Sequence, residues 1–174
     1  MDRKLHILNV ALAVIAGLAV CMVFLNTPEK SYSSDQSVVH LYFADRENRF
    51  LIAEDRAVLH SDEPADLGRI IIKELMGGPR EGLMQTIPAG TKLRAFYITQ
   101  DGIAYVDLTG EIAEEHPGGV KSELLTIYSM VNSLILNISE INAVKILIGG
   151  GESLTLTGHI DLRLPFKADM LLIR

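Results

Sequence analysis

The chain has 174 residues, a net charge of −6, 48% hydrophobic residues and a single cysteine. Residues 1–37 contain three basic and three acidic side chains, so the whole net charge belongs to the remainder, and this acidic balance argues against a nucleic-acid partner. One cysteine excludes an intramolecular disulfide, so the folded part must be stabilised by its core alone.

The first element along the chain is an apolar segment from Leu5 to Leu25, which Arg3 and Lys4 precede. As a helix rising roughly 1.5 Å per residue, it would span about 31 Å, close to the thickness of the hydrocarbon core of a bilayer. The positive-inside rule places the N-terminus in the cytoplasm and the rest of the chain outside. Residues 1–25 are therefore predicted to be a cytoplasmic N-terminus and a transmembrane helix, which anchors the protein in the cytoplasmic membrane.

Two alternative fates of this segment are a cleaved signal peptide and a lipoprotein. Signal-peptide cleavage needs small residues in an A-x-A pattern, which Val20 to Val23 do not offer. Leu18-Ala19-Val20-Cys21 is similar to a bacterial lipoprotein box, in which the cysteine carries the lipid. However, Val20 stands where that box has Gly, Ala or Ser, and the apolar run continues beyond Cys21. We therefore expect an uncleaved anchor, with lipidation at Cys21 as the alternative.

A polar tether and two strands follow the anchor. Residues 26–37 are small and polar and contain too little apolar surface to fold alone, so they are predicted to link the anchor to an outer domain over residues 38–174. Val38–Phe43 and Phe50–Leu59 are predicted strands, because the first is rich in β-branched and aromatic residues and a polar segment separates the two.

The next predicted element is a helix that ends at Gly77-Gly78-Pro79, since glycine accepts a left-handed conformation and proline cannot continue a helix. Asp62 is the predicted N-cap of this helix. Ile87-Pro88-Ala89-Gly90-Thr91 is a predicted turn. The apolar residues at helical spacing are Leu67, Ile70, Ile71, Leu75 and Met76.

A hairpin, a second helix and a last strand complete the predicted order. Lys92–Thr99 and Ile103–Leu108 are joined through Asp101-Gly102, a strong hairpin signal. After Pro117-Gly118-Gly119 an apolar stripe at helical spacing predicts the second helix: Leu124, Ile127, Tyr128, Val131, Leu134, Ile135 and Ile138. Ala143–Ile148 is a predicted strand, and Leu154–Leu156 and Leu162–Phe166 are predicted short closing strands.

This order of elements predicts an α+β fold. Each element has a single apolar face to bury, so the simplest arrangement packs the two helices on one mostly antiparallel sheet. With the anchor in front of it, the outer domain would be a single unit without internal repeats.

Two groups of acidic and histidine residues are candidates for metal binding or acid–base chemistry. Carboxylates and imidazoles bind divalent metals or act as an acid–base pair. The spacing lacks paired histidines on one helix face or paired cysteines, so a solvated loop and a strand-end turn are the favoured interpretation, and no catalytic, cofactor-binding or metal-binding residue is assigned. The residues are Asp107, Glu111, Glu114, Glu115 and His116 in the first group and His159 and Asp161 in the second.

Gly149-Gly150-Gly151 follows a predicted strand, as a phosphate-binding loop does. No lysine-serine or lysine-threonine pair follows it, and Glu152 adds negative charge. A flexible turn is therefore the preferred interpretation, and no cofactor is expected.

Five short segments occur in an order that is fairly specific as a set: Leu41-Tyr42-Phe43, Glu74-Leu75-Met76-Gly77-Gly78-Pro79, Ile87-Pro88-Ala89-Gly90-Thr91, Ala104-Tyr105-Val106-Asp107-Leu108 and Val144-Lys145-Ile146-Leu147-Ile148-Gly149-Gly150. From about Val38 to Asp161 the chain thereby resembles the GerMN domain of bacterial sporulation and spore germination proteins. The resemblance implies an extracytoplasmic, non-catalytic α+β module, similar to ring-building motifs that assemble in envelope complexes. The family's best-known sporulation member resembles a lipoprotein with two tandem copies, whereas this chain carries one.

Together these features predict a membrane-anchored, non-catalytic binding or assembly module of the cell envelope. Its partners would be envelope proteins or further copies of the chain, recruited by open sheet edges. The alternative is an envelope hydrolase acting on cell-wall substrates, which requires five side chains to meet in one cleft: Asp107, Glu115, His116, His159 and Asp161. A small-ligand sensor is a third hypothesis, for which the sequence has no pocket signature.

Overall fold

The computed structural model describes residues 36–174. The predicted transmembrane helix over residues 5–25, Cys21 and nearly all of the predicted tether lie outside the described residues. Within residues 36–174, none of the helices combines the length and the apolar character that a membrane crossing requires.

The described part of the chain contains five strands, three α-helices and one turn of 3₁₀ helix, and its class is α+β as predicted. The predicted strands up to residue 148 and both predicted helices are confirmed near their expected bounds. The short helix α2 lies in a polar segment whose sequence predicts neither a helix nor a strand. In order, the elements are β1 (Gln36–Ala44), β2 (Leu51–Leu59), α1 (Pro64–Met76), β3 (Leu93–Ile98), β4 (Ile103–Leu108), α2 (Glu111–Glu114), α3 (Val120–Ile135), β5 (Ala143–Ile148) and the 3₁₀ turn Met170–Leu172.

The prediction of one mostly antiparallel sheet is wrong, because the strands form two sheets. β1 and β2 form an antiparallel ribbon. The second sheet has the order β3-β4-β5, in which β4 pairs antiparallel with β3 and parallel with β5. Helix α3 packs against both β1 and β5, and α1 packs against both β1 and β3, so one hydrophobic core joins the two sheets.

Side chains of α3 explain why β1 does not pair with the second sheet. Asn137, just beyond the end of α3, accepts from the N–H of His40 at 2.9 Å and donates to its carbonyl at 2.8 Å. Ser133 accepts from the N–H of Tyr42 at 3.0 Å, and Ser129 donates to its carbonyl at 2.6 Å. The outer edge of β1 is thus hydrogen-bonded by a helix and is closed to another strand.

Helix α1 begins differently from the prediction. Glu63 and not Asp62 is its N-cap residue, and the cap has no side-chain hydrogen bond. Pro64 occupies the first helical turn, where a missing N–H costs nothing and the fixed φ suits a helix. The predicted end is confirmed: the helix ends at Met76, and Gly78 adopts a φ of 80°.

Helix α3 is buried on more than its apolar side. The sequence pattern predicted one apolar stripe, yet five polar side chains of this helix are also buried, and they hydrogen-bond β1, the segment around Thr86 and the C-terminal segment. The helix therefore lies inside the domain. The hydrogen bonds of its polar side chains connect it to β1, to the segment around Thr86 and to the C-terminal segment. The five residues are Glu123, Thr126, Ser129, Asn132 and Ser133.

The two predicted closing strands are not formed. Residues 151–169 are irregular and pair only through single bridges, among them Thr155 with Asp161 and Val144 with Phe166. Phe166 exchanges two hydrogen bonds of 2.8 Å with Val144 and so covers that end of β5. The backbone N–H groups of Leu156 and Ile160 donate to the side-chain carboxylate of Glu123 and not to a neighbouring strand, which explains why this segment is irregular.

Candidate functional site

Asp107, the first predicted acidic residue, holds the triple-glycine turn against β4. Its carboxylate accepts from the N–H of Gly150 at 2.8 Å and from Nε of Arg94 at 3.1 Å. Gly149 and Gly150 have φ values of 64° and 89°, which only glycine adopts without strain. The carboxylate therefore acts as a structural acceptor for a turn that follows β5.

Nothing in the sequence marks Glu123 as a functional or structural residue, because one acidic residue on a helix is normally solvated. Its side chain is fully buried and accepts five hydrogen bonds, at 2.8 to 3.1 Å, from the backbone N–H groups of Leu156, His159 and Ile160, the hydroxyl of Thr157 and the His159 ring. Burial by itself raises the pKa of this carboxyl, but the hydrogen bonds outweigh burial and lower the pKa to about 2. Glu123 thus stays ionised and fixes the course of residues 156–160.

His159 and Asp161, the second predicted group, have different partners. His159 Nδ1 lies 2.9 Å from the Glu123 carboxylate, whereas Asp161 forms a two-point ion pair with Arg163. The hydrogen bonds from Arg163 lower the pKa of the Asp161 carboxyl to about 2. Both residues are used to shape the same irregular segment.

His116 is partly buried at the start of α3 and is fixed as a neutral ring. Its Nδ1 accepts from the N–H of Gly118 at 3.0 Å, so the hydrogen is on Nε2, which donates to the Thr126 hydroxyl at 2.9 Å. Thr126 in turn donates to the carbonyl of Thr86 at 2.6 Å. Burial lowers the pKa of His116, and the nearby Glu123 carboxylate offsets this in part.

Glu115 is adjacent to His116 but serves the predicted Ile-Pro-Ala-Gly-Thr turn. Its carboxylate accepts from the N–H of Gly90 at 3.2 Å. A Cβ atom on Gly90 would lie 2.5 Å from both carboxylate oxygens, so a larger residue there would displace the Glu115 side chain. Glu115, which follows α2 directly, thus connects that helix to the motif at residues 87–91.

A cleft of about 190 Å³ lies between the residue 84–89 segment, the turn at residues 115–117 and the N-terminal part of α3. Its walls include Met84, Pro88 and Leu125, with Glu115 and His116 at one side. Ser122 also lines the cleft, but its hydroxyl accepts from the Asn48 amide at 2.8 Å and has no hydrogen bond to His116. The cleft can therefore hold a small apolar group, and it lacks the serine–histidine pair of a nucleophilic site.

The five residues of the hydrolase alternative each bind different partners, and none of them binds another of the five. Of the five, only Glu115 and His116 line the cleft described above. The Glu123 carboxylate hydrogen-bonds His159 and affects the pKa of His116 through its charge. Within residues 36–174 no group of three or more His, Cys, Asp or Glu side chains is placed to hold a metal ion.

The family model described as "Sporulation and spore germination" (Germane) matches residues 40–154. Within the described residues, this range covers the three α-helices, the triple-glycine turn and both sheets, apart from residues 36–39 of β1. No curated protein has a sequence that matches this chain.

The chain is similar to several solved structures, among them the following three. A candidate lipoprotein from Clostridium perfringens is 26% identical, with a TM-score of 0.56 over 76% of this chain and 87% of that one. The tandem GerMN domains of the sporulation protein GerM from Bacillus subtilis are 23% identical, with a TM-score of 0.60 over 77% of this chain and 45% of that one. The first GerMN domain of the same protein is 23% identical, with a TM-score of 0.59 over 76% and 96%. The two GerM comparisons establish likeness of fold.

Proposed function

The chain belongs to the Germane family of sporulation and spore germination domains, and from that premise we propose that it is a non-catalytic binding or assembly module of the bacterial cell envelope. The proposal places the module at the outer face of the cytoplasmic membrane, held by a single-pass anchor over residues 5–25. Its partners are other envelope proteins or further copies of the chain, and its role is linked to sporulation or germination.

The observation that carries the proposal is that the polar side chains best suited to chemistry bind other parts of the fold. Asp107, Glu123 and His116, the groups best suited to acid–base chemistry by type and burial, all hold loops in place through short hydrogen bonds. A general acid or base must instead direct a free position towards a substrate. The geometry therefore favours a rigid domain that presents a surface.

Attachment to the membrane is supported by the apolar segment at residues 5–25 and by the candidate lipoprotein from Clostridium perfringens among the similar structures. Lipidation at Cys21 is the second route to the same location. Replacing Cys21 by serine separates the two routes. With the transmembrane anchor, the unaltered protein takes up no labelled acyl chain and keeps residues 1–20, and C21S is identical to it in both respects. With a lipid anchor, the unaltered protein begins at Cys21 and is acylated, whereas C21S loses the label and keeps residues 1–20.

Crosslinking of the tagged full-length protein in its native membrane tests the assembly role. The matched control is the same tag carried by residues 1–37 alone, which shares the anchor and the tether. Capture of defined envelope proteins, or of further copies of the chain, in fixed proportion and beyond that control supports the module. Release of soluble fragments from purified cell wall by the full-length protein, with no such capture, would refute it.

A further inference from the structure

The β1–β2 ribbon has one edge that α3 closes and one that is open. His40 and Tyr42 direct their backbone groups towards α3, away from β2. In an antiparallel pair, residues opposite such outward-facing positions also face outward on their own strand. The register places Asp55 opposite His40 and Ala53 opposite Tyr42, and the alternation continues to Ala57. These three β2 residues therefore direct their N–H and C=O groups away from β1.

The open part of this edge runs from Ala53 to Ala57. At its start, the N–H of Arg174 donates to the carbonyl of Leu51 at 3.0 Å and covers that position. Across residues 36–174 no hydrogen bond reaches the outward backbone groups of Ala53, Asp55 or Ala57. At roughly 3.3 Å per residue, this stretch presents unpaired peptide groups over about 13 Å.

A groove accompanies the open edge at both ends. One depression, of about 380 Å³, lies between Ala57 to Leu59 on the strand and Ile70 and Lys73 on α1. Leu59 is 66% exposed there, and Ile70 is half-buried. The second depression, of about 280 Å³, lies between Ile52 to Asp55 and the loop residues Glu81 and Leu83. An extended chain on the β2 edge would thus lie between a strand and a helix, with room for its side chains.

The two depressions differ in chemistry. The first is mainly apolar and carries one lysine and one glutamate, Lys73 and Glu74. The second is lined by three acidic residues, and none of its described lining residues is basic. One of the three, Glu54, is already paired with buried Arg56 and accepts from the backbone N–H of Glu81. Successive side chains of a strand point to opposite faces, so the Asp55 side chain lies on the other, exposed face of β2. It is 68% exposed and lies 2.6 Å from Nδ1 of His40, the residue opposite it on β1.

We propose that the open edge of β2 binds an extended segment of another envelope protein by strand addition. The segment carries an apolar side chain in the depression beside Ile70 and a lysine or arginine opposite Asp55, on the exposed face of the strand. Main-chain hydrogen bonds to Ala53, Asp55 and Ala57 supply affinity, and the apolar depression and the Asp55 carboxylate supply specificity. The inference deepens the proposed function by naming the surface and the chemistry of the partner.

The charges favour such a basic segment over a second copy of the chain. A second copy brings the same net charge of −6. In the symmetric antiparallel pairing of two β2 strands centred on Asp55, two like charges face each other, which is unfavourable. A basic partner strand meets the same position with the opposite charge.

The test measures amide hydrogen exchange of the full-length protein in neutral detergent with an acetylated hexapeptide that alternates lysine and valine. Exchange at Ala53, Asp55 and Ala57 should slow when this peptide is added. A matched peptide with glutamate in place of lysine should bind roughly tenfold more weakly, because each favourable cross-strand pair becomes unfavourable. A lysine–valine peptide with methylated backbone nitrogens should give no protection.

Two substitutions of Ala57 test the open edge by changing the protein and not the peptide. Ala57→Pro removes an outward N–H that β1 does not use, so the ribbon should keep its pairing while strand addition is lost. Ala57→Thr keeps the N–H and should bind the peptide within twofold of the unaltered protein. If the proline variant fails to fold, the methylated peptide applied to the unaltered protein still decides.

Several outcomes would overturn the inference. Equal binding of the lysine and glutamate peptides rejects the basic partner, and protection that appears away from residues 53–57, or not at all, rejects the edge. Protection at residues 53–57 that rises with protein concentration alone identifies a second copy as the occupant. If crosslinking captures envelope partners equally with the proline variant, the proposed function stands and only this edge is wrong.

Discussion

Replacing Glu123 by glutamine tests the claim that one buried carboxylate holds the C-terminal segment. The substitution keeps the shape of the side chain but replaces one acceptor oxygen by an NH₂ group. That group would face donors such as the Thr157 hydroxyl or the backbone N–H of His159, which now bind the carboxylate at 2.8 and 3.1 Å. Buried donors left without an acceptor cost stability, and the charge assistance is lost at the remaining ones.

The size of the effect follows from the pKa of this carboxyl. It falls from 4.5 to about 2 on folding, which corresponds to roughly 3 kcal/mol of stability at neutral pH. Since the folded pKa is the lower one, the unfolded chain binds the proton more tightly. The contribution of Glu123 is therefore complete above pH 4.5 and is lost as the pH falls towards 2.

Thermal unfolding of the full-length protein in neutral detergent, followed by circular dichroism, measures this loss. For a folded part of this size, roughly 3 kcal/mol lowers Tm by about 10 °C. Glu140→Gln is the matched control, because Glu140 is exposed and contacts only the hydroxyl of Ser139, and it should shift Tm by less than about 2 °C. Amide exchange at Leu156 and Ile160 should become faster in the Glu123 variant alone.

Two results would refute the reasoning about Glu123. One is a Glu123→Gln protein that unfolds within about 2 °C of the unaltered protein at neutral pH. The other is a stability of the unaltered protein that does not decrease between pH 4.5 and pH 3 any more than that of the variant. Either would mean that the donors around the carboxylate are satisfied in another way.

Three further substitutions test other parts of the fold. Burial lowers the pKa of His116 below 6.5, so stability should decrease as the pH falls below 6.5, and unfolding of His116→Gln at pH 7.5 and 5 should show a flatter dependence. Gly68→Ala would usually stabilise a helix, but its Cβ would overlap the buried Phe96 ring, so denaturant unfolding should show a loss of about 1–3 kcal/mol; a gain in stability would contradict the packing. Asn137→Ala removes both hydrogen bonds to the His40 backbone and should lower the free energy of unfolding by about 1–2 kcal/mol. Hydrogen exchange of the His40 amide should become faster, and an unchanged exchange rate would contradict this role of Asn137.

Local signals were sufficient where a structure depends on a few adjacent residues. The Asp101-Gly102 hairpin and the helix end at Gly78 were predicted correctly, because a left-handed glycine fixes each turn within a few residues. The N-cap was misplaced by one residue, since Asp62 has the better capping side chain but Pro64 sets where the helix begins. Prediction failed here because two local signals competed.

The sheet arrangement and the candidate site depended on distant contacts. A serine or an asparagine on a helix normally faces water, so nothing in the sequence marked Ser133 or Asn137 as groups that close the edge of β1. The same holds for Glu123, whose donors lie more than 30 residues away in the chain. The acidic and histidine residues were predicted to lie in a solvated loop and a strand-end turn. The hydrogen-bond partners of Asp107 and His159 are distant in the chain, so the sequence did not identify them.

Hydrophobic periodicity, glycine and proline act over a few residues, and they were enough to predict the order of the elements from β1 to β5, except the short helix α2. They also marked the apolar segment at residues 5–25 and the motifs that carry the family resemblance. Which strand edge is closed and which is open depends on contacts between distant parts of the chain. A backbone N–H or C=O has the same chemistry on β1 and on β2. What distinguishes the two edges is whether a side chain from a distant part of the chain reaches them.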